Sequence, residues 1–302
     1  MSRPGNPRGL SSTNNIPNTG GRVLERKLAI VTGASRGIGA AVCENLASKG
    51  CSLIMNYTSD NSAQITEELA KSLEEKHSIT CLPVQADLGS ETGPAHILAI
   101  AKSHLAHPKS NKLQVDMIIN NAGVASKSRL EDCTIEEFTR LYSVNVRGPL
   151  LLLQAALPYL PTDRSGRIVN VSSVSSALGF EEDAMYGGTK AALEAMTRTW
   201  SRELAARATV NAVNPGPVAT DMYAKTTREF QGKMAGWTRN APLAAIRPDV
   251  DRQDLVENAE LAGGRPAYDY EIAGIVAMLC TPDAAWCTGS TVCANGGFKF
   301  ST

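Results

Sequence analysis

The residues of this 302-residue chain with the clearest capacity for chemistry are Tyr186 and Lys190, which stand four positions apart. Residues with this spacing on a helix share one face, so the lysine ammonium can lie close to the phenol. A nearby cation stabilises a phenolate and lowers a tyrosine pKa that is otherwise about 10. The pair therefore predicts a general acid or base that exchanges a proton with an alcohol or carbonyl oxygen. The alternative is an exposed lysine beside a packed tyrosine.

A glycine-rich turn near the start of the chain predicts a dinucleotide site. The apolar run 27–32 is typical of a buried strand, and a helical pattern follows the turn as far as Gly50. Glycines between a strand and a helix let the backbone approach a pyrophosphate, and the helix N-terminus offers free amides and a positive dipole end. The residues assigned to this turn are Gly33, Ser35, Arg36, Gly37, Ile38 and Gly39.

The end of the second predicted strand favours NADPH over NADH. NAD sites place an acidic side chain about 20 residues beyond the glycines, where it binds the ribose 2′-hydroxyl. Here Tyr57 holds that position, between Asn56 and Thr58, and Arg36 adds a cation beside the same ribose. A 2′-phosphate is attracted by a cation and would be repelled by an acid, so the sequence predicts NADPH/NADP+. The alternative is that Arg36 is only exposed and that Asp60 binds the ribose.

The later predicted strands end in polar or small residues, at the edge where open parallel sheets bind ligands. These residues are Asp87 and Leu88 after the third strand, Asn121, Ala122 and Gly123 after the fourth, Ser173 after the fifth, and Pro215, Gly216, Val218 and Thr220 after the sixth. Ser173 precedes Tyr186 by 13 positions, so its hydroxyl could meet the same substrate oxygen. Asp87 either caps the next helix or holds an adenine.

Asn145 is predicted to lie in the middle of a helix, where asparagine is usually unfavourable. It therefore needs a hydrogen-bond partner, unless it is solvated or only tolerated there.

Composition and charge argue against several function classes. Thirty Lys and Arg balance thirty Asp and Glu, so nothing indicates a nucleic acid or an anionic membrane as partner. No run approaches the roughly 18 apolar residues that span a bilayer. The seven cysteines form no CxxC pair, and the four histidines lie in polar segments of the sequence. We therefore expect reduced thiols in a cytoplasmic protein with no metal site.

Strands that alternate with helices predict a single domain, built on a doubly wound, mainly seven-stranded parallel sheet with helices on both faces. Residues 1–25, rich in Gly, Pro, Asn and Ser, are predicted to form a disordered tail, and 26–302 the dinucleotide-binding catalytic domain. The long polar segment 221–266 is predicted to be a substrate lid, with helices at 222–235 and 251–262. The acidic run 181–183 is either a solvated loop or an influence on substrate charge.

Taken together, these motifs resemble the short-chain dehydrogenase/reductase family in its compact, single-domain Rossmann branch. The resemblance covers about residues 26–298, with the motifs at 32–39, 120–123, 145, 173, 186–190 and 214–216 in the family's order and spacing. It is strongest to β-ketoacyl reductase-like carbonyl reductases, and the ending 294–298 is similar to fungal relatives that often serve secondary metabolism. The segment between residues 242 and 266 is longer than in typical members.

The resemblance implies a catalytic set of Asn145, Ser173, Tyr186 and Lys190. Tyr186 would donate the proton to the carbonyl oxygen, and Ser173 would orient that oxygen. Lys190 would bind the nicotinamide ribose and lower the tyrosine pKa, while Asn145 would hold a water that links Lys190 to solvent. It also implies that Asp87 and Leu88 contact the adenine, that 121–123 lie near the adenosine ribose, and that Val218 and Thr220 surround the nicotinamide amide and phosphates.

The sequence therefore predicts an NADPH-dependent oxidoreductase that reduces a ketoacyl, polyketide or cyclic ketone to a secondary alcohol by hydride transfer. An NAD-dependent alcohol dehydrogenase working in the oxidative direction is the alternative. A catalytically silent nucleotide-sensing protein is a third possibility, although such proteins usually lose the tyrosine or the lysine. The expected partners are a small-molecule ketone or alcohol and, from the family, further copies of the chain in a homodimer or homotetramer.

Overall fold

The computed structural model describes residues 21–300 and contains one sheet of seven parallel strands. The strands are β1 (Leu28–Val31), β2 (Ser52–Tyr57), β3 (Cys81–Gln85), β4 (Met117–Asn120), β5 (Gly166–Val171), β6 (Ala208–Val213) and β7 (Thr291–Val292). Their order across the sheet is β3-β2-β1-β4-β5-β6-β7. The chain therefore starts at β1 in the middle of the sheet and adds β2 and β3 toward one edge. It then returns to the middle at β4 and adds β5, β6 and β7 toward the other edge. This confirms the predicted fold.

Helices cover both faces of the sheet, as the near-continuous apolar strands require. They are α1 (Gly37–Ser48), α2 (Ala63–His77), α3 (Gly93–Leu105), α4 (Ile135–Tyr142), α5 (Gly148–Ala156), α6 (Tyr186–Glu203), α7 (Asp221–Ala224), α8 (Arg228–Arg239), α9 (Gln253–Ala262) and α10 (Asp269–Cys280). Alternate residues of β1 show the two layers. Val31 packs in the core formed with α1 and α10, whereas Ile30 packs in the core formed with α3, α5 and α6.

Three apolar residues of α6 belong to the second of these cores. Leu193 and Trp200 are buried there, and Met196 packs against them. The structure therefore assigns all three positions to the core.

The fold begins before the predicted boundary at residue 26. Leu24 is buried, and its N–H donates to the carbonyl of Lys49. The Arg22 guanidinium donates to the carbonyl of His77 at the end of α2. Residues 21–25 are therefore part of the domain, because they pack against the ends of α1 and α2. The predicted disorder of residues 1–20 lies outside the described residues.

The predicted lid contains three helices, α7, α8 and α9. The sequence predicted one continuous helix over 222–235, but the chain breaks after α7 because the Thr227 hydroxyl accepts the N–H of Phe230 and caps a new helix. The second predicted helix, at 251–262, agrees closely with α9.

A buried ionic cluster fastens the long part of the lid to α10. The side chain of Asp251 is fully buried, and it accepts hydrogen bonds from Arg247 and from the Tyr268 hydroxyl. Arg265 lies 3.4 Å from the same carboxylate and donates two 2.8 Å hydrogen bonds to Glu271 of α10. The extra length of this segment is therefore folded onto the domain.

The cysteines fall into two groups. Cys43, Cys51, Cys81 and Cys280 are buried, and burial raises the pKa of each thiol. Cys133, Cys287 and Cys293 are partly exposed, and all seven are unpaired. Between residues 21 and 300, no group of His, Cys, Asp and Glu could hold a metal ion. No helix in that range has the length and apolar character needed to cross a membrane.

Candidate active site

Tyr186 is the first residue of α6, and Lys190 follows one turn later on the same face, as predicted. The Lys190 Nζ lies 5.6 Å from the centroid of the Tyr186 ring. The two glycines between them allow close packing of this turn. A Cβ atom on Gly187 would lie 2.6 Å from the Ser175 carbonyl oxygen, and one on Gly188 would lie 2.9 Å from the Tyr142 hydroxyl. Larger residues would therefore displace the tyrosine from the strand ends.

Burial dominates the pKa values of this pair. Lys190 is 3% exposed, donates to the Val171 carbonyl at 2.9 Å, and has its pKa lowered by burial to about 8. Burial also raises the pKa of Tyr186 above its usual value, and the Asp183 carboxylate raises it further. A hydrogen bond with the Ser173 side chain lowers the pKa of Tyr186 and so opposes these two effects. The pKa of the phenol is therefore raised and not lowered as predicted, because burial disfavours the charged phenolate.

Ser173 follows β5, at the carboxyl edge of the sheet. Its hydroxyl accepts the N–H of Ser175 at 3.1 Å and caps a short turn of 3₁₀-helix, Val174–Ser176. This fixes the hydroxyl beside Tyr186, where both side chains can reach one substrate oxygen.

Asn145 is buried in a π-helical segment, Ser143–Arg147, between α4 and α5. Its Oδ1 accepts the N–H of Val124 at 2.9 Å, and its Nδ2 donates to the Val124 carbonyl and to the Thr189 hydroxyl. The expected partners are therefore present, and the widened turn accommodates an asparagine that a regular helix disfavours.

Gly123 lies between Asn145 and Lys190. A Cβ atom at this position would lie 3.3 Å from the Lys190 Nζ and 3.4 Å from the Asn145 Oδ1. The structure thus gathers all four predicted catalytic residues around the ends of β4 and β5. The role of Asn145 in holding a water remains a prediction.

The glycine turn between β1 and α1 has the geometry of a phosphate cradle. Gly33 and Gly37 have φ angles of 63° and 53°, in the left-handed region that favours glycine. A Cβ atom on Gly39 would collide with the Gly33 carbonyl oxygen. Arg36 gives no side-chain hydrogen bond to the first amides of α1, which leaves those donors for an anion. Ser35 and Ile38 are partly buried in the same turn.

The Arg36 guanidinium spans the opening beside this cradle. Its Nη1 donates to Asp221 at the start of α7, and its Nη2 donates to the Ser62 hydroxyl, each at 3.2 Å. The alternative ribose acid, Asp60, accepts a 2.7 Å hydrogen bond from Gln85. The Arg36 guanidinium therefore lies beside the glycine turn, as predicted. The carboxylate that it contacts is Asp221 of the lid and not Asp60.

Three predicted cofactor residues have side chains that turn into the sheet. Asn56 is fully buried and donates to the carbonyls of Tyr57, Val84 and Ala86. Tyr57 is 8% and Leu88 3% exposed. These side chains are shielded from solvent, so the cofactor contacts predicted for the three residues would be made by their backbone, and the assignment stays a prediction. Their neighbours Thr58 and Asp87 are exposed.

The remaining predicted residues organise the strand ends. Asp87 Oδ1 accepts the N–H of Gly89, so it closes a turn rather than capping α3. The Asn121 side chain donates to the carbonyls of Thr32 and Gly33 and ties β4 to the glycine turn, while the N–H groups of Asn121 and Ala122 donate to the Thr32 hydroxyl.

The loop after β6 completes this edge. The Pro215 carbonyl accepts the N–H of Val174, Gly216 lies against Asn295, and Val218 pairs with Ala267. A Cβ atom on Gly37 would lie 3.0 Å from the Thr220 side chain, so the start of the lid already packs on the glycine turn.

Two further residues near Tyr186 were not predicted as site residues. Asp183 is 8% exposed, and neither carboxylate oxygen has a hydrogen-bond partner among the described residues. Lys127, on the loop after β4, places its Nζ 3.9 Å from Asp183. Burial raises the pKa of Asp183, while the Lys127 charge and the Ser175 side chain hold that shift back. Burial lowers the pKa of Lys127, and the charges of Asp183 and Glu182 oppose this shift. The only signal in the sequence was the acidic run 181–183, and the solvated-loop interpretation is wrong at Asp183, which is buried.

Comparison with known proteins agrees with this geometry. The family model described as short chain dehydrogenase matches residues 27–231. An L-xylulose reductase from Aspergillus niger is 53% identical over 93% of this chain and 99% of its own length. An L-xylo-3-hexulose reductase from Hypocrea jecorina is 47% identical over the same shares. A blue fluorescent protein from a metagenomic library, solved in complex with NADPH, has a TM-score of 0.77 and 31% identity over 92% of this chain and 99% of its own.

The family match covers the glycine turn, the end of β4, the tyrosine–lysine pair and the first part of the lid. The curated relatives extend this likeness over nearly the whole chain at high identity. The chain therefore belongs to the short-chain dehydrogenase/reductase family, and it is an oxidoreductase that acts on CH–OH or C=O groups.

Proposed function

We propose that this protein is an NADPH-dependent reductase that converts an open-chain ketose, a pentulose or hexulose, to a polyol. The observation that carries the proposal is the meeting of Ser173, Tyr186, Lys190 and Asn145 beside the glycine cradle. The choice of a ketose as substrate is based on the two curated relatives, whose names describe reductases of such sugars. This substrate class differs from the ketoacyl, polyketide and cyclic ketones that the sequence predicted.

The residues at the cradle fit a phosphorylated dinucleotide. The glycines leave the backbone open, the first amides of α1 lack a side-chain cap, and Arg36 and Ser62 stand beside the ribose position. The side chains that would hold NADPH are Arg36, Ser62, Thr58 and Lys190, together with the backbone of residues 33–39. When bound, NADPH supplies the hydride that adds to the carbonyl carbon.

Tyr186 donates the proton that completes the reduction. Because burial and Asp183 both raise its pKa, the phenol is protonated at neutral pH and is ready to act as an acid. The Ser173 hydroxyl donates a hydrogen bond to the same oxygen, where negative charge develops in the transition state. The two donors thus bind the transition state more strongly than the ground-state ketone.

Lys190 returns the proton that Tyr186 loses. Its pKa of about 8 lies below the raised pKa of the phenol, so Lys190 can give a proton to the Tyr186 phenolate and regain one from solvent near neutral pH. Gly123 leaves the space between Lys190 and Asn145 free of side-chain atoms. We assign this space to the water through which Lys190 exchanges protons.

A second substrate class is supported by an aromatic cluster under the lid. Trp237 of α8 stacks on Phe298 at 6.1 Å and packs edge-on against Phe180 at 5.9 Å. Trp237 remains 45% exposed, so the cluster presents a flat apolar surface. This surface would suit a cyclic or aromatic ketone, the class that the sequence predicted.

The test is oxidation of NADPH by the purified protein, followed at saturating cofactor with NADH in parallel. The substrates are a pentulose, a 3-hexulose, an acetoacetyl thioester and a bicyclic aromatic ketone. The proposal expects kcat/KM to be highest for the ketoses and for NADPH. A higher value for the aromatic ketone would favour the second class, and turnover preferring NADH would contradict the cofactor assignment.

We also propose that the chain works as a homodimer or homotetramer in a reducing compartment such as the cytoplasm. Leu130, Ile135 and Phe138 are exposed in and just before α4, where they could pack against another copy. The seven unpaired thiols suit a reducing compartment. Light scattering on the protein as it elutes from a size-exclusion column gives its molar mass and hence the number of copies. A monomeric mass at micromolar concentration would refute the assembly.

A further inference from the structure

A buried carboxylate with no hydrogen-bond partner lies three residues before the proton donor. Both oxygens of Asp183 are shielded from solvent, and neither has a partner with full hydrogen-bond geometry among residues 21–300, although the Ser175 side chain is near enough to lower the pKa of the carboxyl. Leaving a buried polar group unpaired costs free energy, and a buried charge costs more. The nearest cation, the Lys127 Nζ, is 3.9 Å away and too far for a hydrogen bond. The carboxylate therefore has unused acceptor capacity inside the site.

The backbone holds Asp183 in this inward position. The preceding residue, Glu182, has a φ angle of 65°, which is uncommon for a residue other than glycine. Its carbonyl accepts the N–H of Ser128, and Ser128 forms a parallel bridge with Asp183. The Glu182 side chain turns outward to Lys233 at 3.0 Å, so the next side chain, Asp183, turns inward.

Lys127 connects this carboxylate to the lid. Its ammonium lies 4.0 Å from the centroid of the Phe230 ring, on α8. The Lys127 side chain is 38% exposed, so it lies at an opening rather than in the core. The loop after β4, the loop before α6 and the lid therefore meet around one acid and one base.

The position relative to Tyr186 places this pair in the substrate site. Asp183 lines the same cavity as Gly187 and Gly188, the two residues that follow Tyr186, and its charge raises the pKa of the phenol. A substrate whose carbonyl oxygen lies at Tyr186 would extend its neighbouring atoms toward this pair. The pair has no net charge, and the acidic side chains of Glu181, Glu182 and Glu229 surround Lys233 at the lid edge. Anionic substrates are thus disfavoured.

We propose that Asp183 and Lys127 form a subsite for the hydroxyl groups next to the carbonyl of a neutral, unphosphorylated ketose. Asp183 accepts hydrogen bonds from hydroxyl groups of the sugar, and Lys127 donates to one of them. This inference rests on the proposed ketose reductase function, since it concerns the same site. It explains why an acid and a base occupy positions where an apolar wall would bind a simple ketone better.

The experiment compares the kcat/KM of a pentulose with that of a cyclic ketone that has no hydroxyl group. The variants are Asp183→Asn and Lys127→Met, and Glu181→Gln is the matched control because it removes an exposed carboxylate from the same loop. The ratio of the two kcat/KM values should fall about 10- to 100-fold in Asp183→Asn, as expected for a lost charge-assisted hydrogen bond, and somewhat less in Lys127→Met. The ratio should not change in Glu181→Gln.

The outcomes separate this inference from the proposed function. If the wild-type protein prefers the pentulose but the ratio is unchanged in both variants, the subsite is refuted and the ketose function stands. Equal losses on both substrates would show a structural role and would also refute the subsite. A wild-type protein that reduces only the cyclic ketone would overturn both. NADPH affinity, measured for each variant, shows whether the fold is intact.

Discussion

Removal of the Arg36 guanidinium should weaken NADPH binding while leaving NADH binding nearly unchanged. Arg36 is the one side chain of the glycine turn with a positive charge, and it already reaches Ser62 on the ribose side. A hydrogen bond to a charged group contributes about 1.5–3 kcal/mol. NADH has no 2′-phosphate for the guanidinium to bind, so Arg36→Ala should act on NADPH alone.

The Asp221 ion pair reduces this contribution. Its partners are 54% and 63% exposed, and an exposed pair of this kind contributes about 0.2–1 kcal/mol. If the phosphate displaces Asp221, the net contribution of Arg36 is about 0.5–2.8 kcal/mol. At about 1.4 kcal/mol per tenfold change, Arg36→Ala should raise the Kd of NADPH about 2- to 100-fold. Asp221→Asn should lower that Kd by up to about fivefold, because the competing carboxylate is removed.

The assay is a titration of nicotinamide fluorescence with each cofactor. The control is Arg252→Ala, which breaks an arginine–aspartate pair of similar exposure, 57% and 60%, elsewhere in the lid. The effect of Arg36→Ala should also shrink at high salt, where exposed charges are screened. An equal loss of affinity for NADPH and NADH would show that Arg36 only shapes the turn, and the reasoning would fail.

Three further predictions concern the proton donor and its neighbours. Tyr186→Phe should reduce kcat at least about 100-fold and leave the NADPH Kd nearly unchanged; a variant that keeps most of its rate would exclude Tyr186 as the acid. Asp183→Asn should shift the alkaline limb of the kcat–pH profile to lower pH, because loss of the carboxylate lowers the phenol pKa, and a shift to higher pH would contradict this. Burial lowers the Lys190 pKa from 10.5 to about 8, so the unfolded chain holds the extra proton between these values. The free energy of unfolding should therefore rise across that range; urea midpoints should show this contribution lost in Lys190→Met, and identical slopes would refute it.

The sequence was sufficient to predict the sheet and the tyrosine–lysine pair on one helical face because both depend on local patterns, whereas the catalytic roles stay predictions. Short apolar runs define the strands, and the glycine turn fixes the phosphate edge between β1 and α1. The spacing of Tyr186 and Lys190 places them on one helical face whatever surrounds them. These features need no knowledge of which segments meet in space.

The features that were missed depend on distant contacts or on a single backbone angle. Arg36 and Asp221 are 185 positions apart, so no local pattern connects them. The inward turn of Asp183 follows from the unusual φ angle of Glu182, which an acidic run does not reveal. The burial of the Asn56 and Leu88 side chains was not predicted either, because a strand end can be located from the sequence more easily than the side to which each residue points.

The division of the cysteines gives the protein a built-in reporter of its own unfolding. A thiol reacts with alkylating reagents as the thiolate, and burial both blocks access and raises the pKa of Cys43, Cys51, Cys81 and Cys280. At neutral pH the folded chain therefore offers a reagent only its three partly exposed thiols. Alkylation at the other four, counted by mass spectrometry, measures how often α1, β3 and α10 separate from the sheet, without any engineered label.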